Sequence, residues 1–154
     1  MSAGFPSILE PVGTCREDGK RPDGLTLIPW KDGKCLLWDA TCVDTLAACH
    51  IAGTAGNAGA AALEAEYKKR TKYQSLEAQY IFTPLGFETL GPWGPEAKKL
   101  IKKIGVLIST ESGEMRSVSF LRQRVSIAIQ RGNASSILST LPSTSALDEV
   151  FFLA

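Results

Sequence analysis

Two short apolar segments flank a tight-turn signal, and this arrangement constrains the fold more than any other feature of the chain. Leu25-Thr26-Leu27-Ile28-Pro29-Trp30 and Cys35-Leu36-Leu37-Trp38-Asp39-Ala40-Thr41-Cys42-Val43 both read as strands, with Lys31-Asp32-Gly33 between them. Strands so close in sequence pair as an antiparallel hairpin, over about residues 24–43. Pro29 has no backbone N–H, which puts the first strand at an edge or gives it a bulge there.

Besides Asp32 in the turn, the hairpin region carries two acids, Asp23 just before the first strand and Asp39 inside the second. Successive side chains of a strand point to opposite faces, so register decides whether the two meet. A two-residue turn (Asp32-Gly33) pairs Lys31 with Lys34 and Asp39 with Thr26, and sends Asp23 to the other face. A three-residue turn (Lys31-Asp32-Gly33) pairs Trp30 with Lys34 and Asp23 with Thr41, and sets both acids on one face. A shared face therefore needs the three-residue turn or a bulge near Pro29. Two such carboxylates offer the hard oxygen donors that Mg²⁺ or Mn²⁺ takes. A cation there would polarise a phosphodiester and activate water, and a nearby lysine would stabilise the charge that develops. The plainer readings are that Asp23 caps a turn and that Asp39 is an exposed strand residue. Against the second, an aspartate between Trp38 and Ala40 is disfavoured by strand propensity.

The rest of the chain supplies helices. Residues 60–79, rich in Ala, Leu, Glu and Lys, predict one helix. Ala62, Ala65, Lys69, Lys72 and Leu76 share one stripe of it at spacings of three and four. Lys69 and Lys72 thus point toward the sheet, where either a negative group meets them or they snorkel past the edge. Lys68 and Arg70 fall on the solvent side, open to a phosphate backbone. Residues 80–90 predict a third strand interrupted at Pro84, and Gly91-Pro92-Trp93-Gly94-Pro95 a turn launching a helix over about 95–109. A further helix covers 114–131, with Val118, Leu121, Val125, Ala128 and Ile129 on its apolar face. Gly132-Asn133 ends it, and a short last helix covers 134–141. Residues 52–59, Gly- and Ala-rich, read as a flexible linker. The expected organisation is a loop-rich leading segment over 1–22, an α/β domain over 23–141 with a small mixed sheet, and a tail over 142–154 whose Val150-Phe151-Phe152-Leu153 end is apolar.

Composition excludes several classes. At 154 residues, with 44% hydrophobic and 21% charged residues, the chain can bury one core without staples. No apolar run approaches the roughly 18 residues of a membrane helix, and the first residues lack the pattern of a secretory signal. An intracellular or nuclear protein is expected. Net charge is +1, so a polyanion would be drawn by local patches only. Two sets qualify besides Lys68 and Arg70: Lys98-Lys99 with Lys102-Lys103, and Arg122, Arg124 and Arg131. Each also reads as a solvated face. Cys15, Cys35, Cys42 and Cys49 form no C-x-x-C pair and read as reduced, mostly buried thiols, with His50 a loop or surface residue.

Arg21-Pro22-Asp23-Gly24, then Leu37-Trp38-Asp39-Ala40-Thr41, then Lys69-Arg70-Thr71-Lys72-Tyr73, with Gly86 and Gly91-Pro92-Trp93 after them, resemble the endonuclease domain at the C-terminal end of non-LTR retrotransposon polyproteins. The resemblance covers about residues 5–141. It implies a restriction-endonuclease-like fold of the PD-(D/E)xK type and metal-dependent nicking of DNA, with RNA as the other polyanion. It implies Asp23 and Asp39 as the metal-binding acids, the K-x-x-K-Y helix residues Lys69, Lys72 and Tyr73 as further catalytic residues, and Arg21, Lys68 and Arg70 as contacts to nucleic acid. The strand position two residues after the second acid, usually lysine, is Thr41 here. The family's first strand follows a helix, which the breaker-rich residues 1–22 do not supply. Its reverse transcriptase lies upstream, so the resemblance also implies a longer polyprotein. A domain that keeps this fold but only binds nucleic acid, and a structural domain with no such affinity, are the competing expectations.

Overall fold

A computed structural model describes residues 3–12 and 21–140. Its centre is one four-stranded sheet in the spatial order β1 (Ser7–Leu9), β2 (Gly24–Thr26), β3 (Leu36–Val43) and β4 (Ile81–Glu88). β1 with β2 and β2 with β3 pair antiparallel, and β4 runs parallel to β3. Four helices accompany them: α1 (Ile51–Gly56), α2 (Ala60–Lys72), α3 (Pro95–Ser112) and α4 (Ser117–Leu138). The α/β class and the mixed sheet agree with expectation.

Parallel neighbours need a crossover, and α2 provides it. It lies on one face of the sheet, where Leu37, Phe82 and Tyr73 form a small buried cluster. On the opposite face, Leu36, Leu85, Phe87 and Trp93 pack with Ala97, Leu100 and Ile101 of α3, and Leu121, Val125 and Ile129 of α4 close over them. The α4 side chains are those of the apolar stripe, except Ala128, which is exposed. Gly105 lets the two helices touch: a Cβ there would lie 2.7 Å from the Val118 Cα.

The hairpin departs from expectation in an informative way. Residues 25–30 do not form one strand. β2 ends at Thr26, whose hydroxyl donates to the Ile28 carbonyl (2.9 Å) and accepts the Leu36 amide (2.9 Å), so a side chain takes the place of the ladder. Pro29, with no N–H to give, falls in the stretch that leaves the sheet. The tip is a two-residue turn, with Lys31 bridged to Lys34 and both Asp32 (φ 50°) and Gly33 (φ 73°) left-handed. Yet the strand register is Gly24 to Trp38 and Leu25 to Leu37. Between those pairs and the tip, five residues (26–30) face two (35 and 36). The three surplus residues convert the odd register of a two-residue turn into an even one. The expected pairing of Asp23 with Thr41 is thus not found, but its parity is recovered by the irregularity around Pro29.

Several other boundaries are corrected. The leading segment contains an edge strand, β1, paired to β2 from Ser7 opposite Thr26 to Leu9 opposite Gly24. The Gly/Ala-rich linker holds the short helix α1. The helix expected to reach 79 stops at Lys72, and a 3-10 turn over Gln74–Leu76 follows, because the chain bends to bury Tyr73 beneath it. α3 continues to Ser112, where left-handed Gly113 ends it. α4 runs through Gly132 without a break, and its Asn133 amide donates to the Thr89 carbonyl at 2.7 Å. β4 is not interrupted at Pro84. Ile81 and Thr89 donate to the Cys35 and Val43 carbonyls, so odd-numbered residues of β4 bond to β3 and even-numbered ones face outward. Pro84 stands at an outward position, where its missing N–H costs the ladder nothing. Cys42 and Cys49 are exposed rather than buried, and Cys35 is half-buried. Cys15 and the apolar end of the tail lie outside the described residues.

Candidate active site

The even register sets the two acids side by side. One step beyond the Gly24–Trp38 pair, Asp23 comes level with Asp39 on the face covered by α2. The Asp23 amide donates to the Trp38 carbonyl (3.0 Å), and its Oδ2 accepts the Ala40 amide at 2.6 Å. The carboxylate therefore fills a place in the sheet that a backbone carbonyl would otherwise take. Gly24 makes this approach possible, since the Trp38 indole lies across it and a Cβ would sit 2.1 Å from the ring. Asp39 is almost fully buried, on the same face as Leu37.

Lys69 reaches down from α2. Its Nζ donates to Asp39 Oδ2 at 2.7 Å, with 24% of the lysine side chain and 4% of the aspartate exposed. The stripe of Ala62, Ala65 and Lys69 faces the sheet, with both alanines buried. Lys69 thus meets a negative group, as one of its two alternatives required. Burial pushes the Asp23 carboxyl above its ordinary range, and the Ala40 amide opposes this. The neighbouring Asp39 carboxylate raises it further, through its charge and through a hydrogen bond, and the Lys69 ammonium partly offsets that rise. Two carboxylates and one ammonium thus share a small volume opening to solvent on the Asp23 side.

The other candidate residues divide. Lys72 lies over the ring of Tyr73, 4.6 Å from its centroid, and Tyr73 is buried against Phe82 beneath α2. Both sit about one turn beyond Lys69, at the end of the helix. Arg21, Lys68 and Arg70 do not join the acid pair. Arg21 lies 3.7 Å from Glu10, Lys68 is 2.6 Å from Glu64, and Arg70 reaches both Glu77 (3.1 Å) and Glu96 (3.3 Å). These are exposed pairs, weak enough for a phosphate to exchange with them. Thr41 continues β3 on the face of Asp39. His50 packs just before α1, with Nδ1 3.6 Å from Glu64.

Two buried carboxylates were not among the candidates. Glu66 accepts the amides of Gly86 (3.2 Å), Glu96 (3.0 Å) and Ala97 (2.9 Å), and so ties α2 to β4 and to the first turn of α3. Glu88, with no exposure, accepts the amides of Ala61 (3.0 Å) and Ala62 (3.2 Å) at the start of α2. Each carboxylate serves the unpaired N–H groups that open a helix. Glu66 lies between Ala62 and Lys69 in the inward stripe, and that position is its one signal in the sequence. Together the two fix α2 over the sheet, and with it Lys69 over Asp39.

No family model matches the chain, and no curated protein or solved structure matches it. Among the described residues no helix is long and apolar enough to cross a membrane.

Proposed function

We propose that the chain is a metal-dependent endonuclease domain with a restriction-endonuclease-like core, acting on DNA. The observation that carries this reading is the convergence of Asp23, Asp39 and Lys69, from two strands and the crossover helix, on one spot at the sheet surface. A purely structural domain would be expected to keep the acids on opposite faces and the lysines away from both. The sheet, with two parallel strands bridged by a helix and the acids on the hairpin, accords with the proposed core.

The donor chemistry suits Mg²⁺ or Mn²⁺, because two hard carboxylates meet where burial and the charge of Asp39 raise the Asp23 pKa, a cost that a bound cation would relieve. The described residues hold no group of three His, Cys, Asp or Glu side chains placed to bind an ion, so water and substrate oxygens would complete the shell. When bound, such a cation supplies Lewis-acid polarisation of the phosphodiester and an activated water. Asp23 and Asp39 would hold it. Lys69, fixed by Asp39, would bring its ammonium to the developing negative charge on the phosphate. Lys72 would extend this positive field along α2, and Tyr73 would anchor the end of the helix beneath it. Arg21, Lys68 and Arg70 would exchange their acid partners for phosphates of the flanking strand. The same resemblance assigns the domain to a mobile element, as part of a longer polyprotein with reverse transcriptase, working inside the cell or nucleus.

Supercoiled plasmid incubated with the protein and Mg²⁺ is expected to be nicked, and Asp39→Asn is expected to leave it intact. No nicking by the wild-type chain, or equal nicking by the variant, would overturn the assignment. One observation favours a second reading, a domain that binds nucleic acid without cutting it. Thr41 stands where the resemblance places a lysine, and Lys69 is drawn into an ion pair with Asp39. Salt-sensitive binding with no nicking under any divalent cation would select that reading.

A further inference from the structure

A cleft of about 410 Å³ opens along the outer edge of β4, between the hairpin tip, α2 and the first turns of α3. It is separate from the acid pair, which lies on the face of β3. Lys31, Arg70, Lys99 and Lys103 line it with one acid, Glu96; Arg70 engages Glu96 (3.3 Å) and Glu77 (3.1 Å), and Lys31 lies 3.6 Å from Asp32, all at the surface. Lys103 lies over the Trp30 ring, 4.5 Å from its centroid, and Lys99 has no acidic partner among the described residues. Beside these cations the cleft is lined by Phe82 and Thr83. Phe82 is an even-numbered residue of β4, so its amide turns outward, and no described group accepts it. The Thr83 hydroxyl has no hydrogen-bond partner among the described residues either. In a chain of net charge +1, this concentration of positive charge and uncommitted donors is local.

From this we infer a second site: the cleft holds the sugar-phosphate backbone of a nucleic-acid strand. Phosphate oxygens are the acceptors that a lysine pair, a backbone amide and a hydroxyl together satisfy. A lone phosphate would occupy one end. The cations are strung from the hairpin tip (Lys31) to successive turns of α3 (Lys99 and Lys103), and a row of phosphates engages them all. Binding here does not depend on cleavage, and it stands or falls separately from the acid pair.

The test is fluorescence anisotropy of a short labelled DNA duplex with the full chain in EDTA, where no cutting occurs. Wild type is expected to bind in a salt-sensitive manner. Lys99→Ala with Lys103→Ala is expected to weaken binding about tenfold or more, and to reduce the slope of log affinity against log salt by about two. Lys99→Ala alone, which removes no ion pair or hydrogen bond among the described residues, is expected to show about half of that slope change, and circular dichroism checks that it folds. No binding by the wild-type chain, or unchanged affinity and slope in both lysine variants, overturns the site. Inorganic phosphate binding as tightly as the duplex would also overturn it, leaving a small-anion site in its place.

Discussion

Asp23 is the residue on which the proposed chemistry and the stability of the fold act in opposite directions. Burial and the Asp39 carboxylate raise its pKa, against the pull of the Ala40 amide and Lys69. A group whose folded pKa lies above its unfolded one stabilises the fold below the ordinary carboxylate range, and that stabilisation is lost as pH rises through the raised value. At neutral pH and without metal, the ionised acid sits beside a buried like charge. Asp23→Asn keeps an oxygen for the Ala40 amide and removes the repulsion. In EDTA at neutral pH, the variant is expected to melt above wild type in a thermal scan, with the gain shrinking as pH falls through the carboxylate range. Mg²⁺ is expected to raise the melting temperature of wild type and not of the variant. A variant that melts lower than wild type at neutral pH would mean the carboxylate is held for stability rather than for a ligand.

At the level of elements, the site depends on how α2 is seated. Glu66 receives three amides from two other elements, and truncating it leaves those donors buried without an acceptor. Glu66→Ala is expected to cost about 3 kcal/mol in urea denaturation, well above the effect of removing an exposed ion pair such as Lys68 with Glu64. A loss within a few tenths of a kcal/mol would show that water replaces the carboxylate. The seating was half legible in the sequence. The inward stripe with Lys69 follows from helical spacing, and so does the hairpin from its turn. Glu66 and Glu88 were not legible as caps, because which helix start each one reaches is decided only by tertiary packing. The exit of β2 was flagged by Pro29, but the Thr26 hydroxyl that replaces the ladder is a side-chain choice no period reports. The continuity of β4 is not legible in the sequence, because a proline in a strand is harmless or disruptive according to which edge it faces, and pairing decides that.

Across the whole molecule, the sheet divides the proposed functions in space. The acid pair lies under α2 on one face, the main core and α3 with α4 lie on the other, and the basic cleft runs along the outer edge of β4. The class of fold could be read from the alternation of apolar segments and helical stripes. The parallel relation of β3 to β4 could not, since it depends on where the crossover helix returns the chain. The outer edge of β4 also has a consequence for how copies of the chain behave together. Gly94 and Pro92 cover its last residues, but nearer its start the outward-facing backbone positions belong to Phe82 and Pro84. A strand from another molecule docking there would find the Phe82 amide and then, at the buried Pro84, no N–H, and could not extend its pairing. The missing N–H therefore works as a stop against growth of fibrils or swapped sheets, at a point that Gly94 and Pro92 do not pair. Pro84→Val is expected to fold with a melting temperature close to wild type, yet to scatter light and bind thioflavin T on prolonged incubation at high concentration. A variant that stays monomeric by size-exclusion chromatography would show that something other than this missing N–H keeps the edge from polymerising.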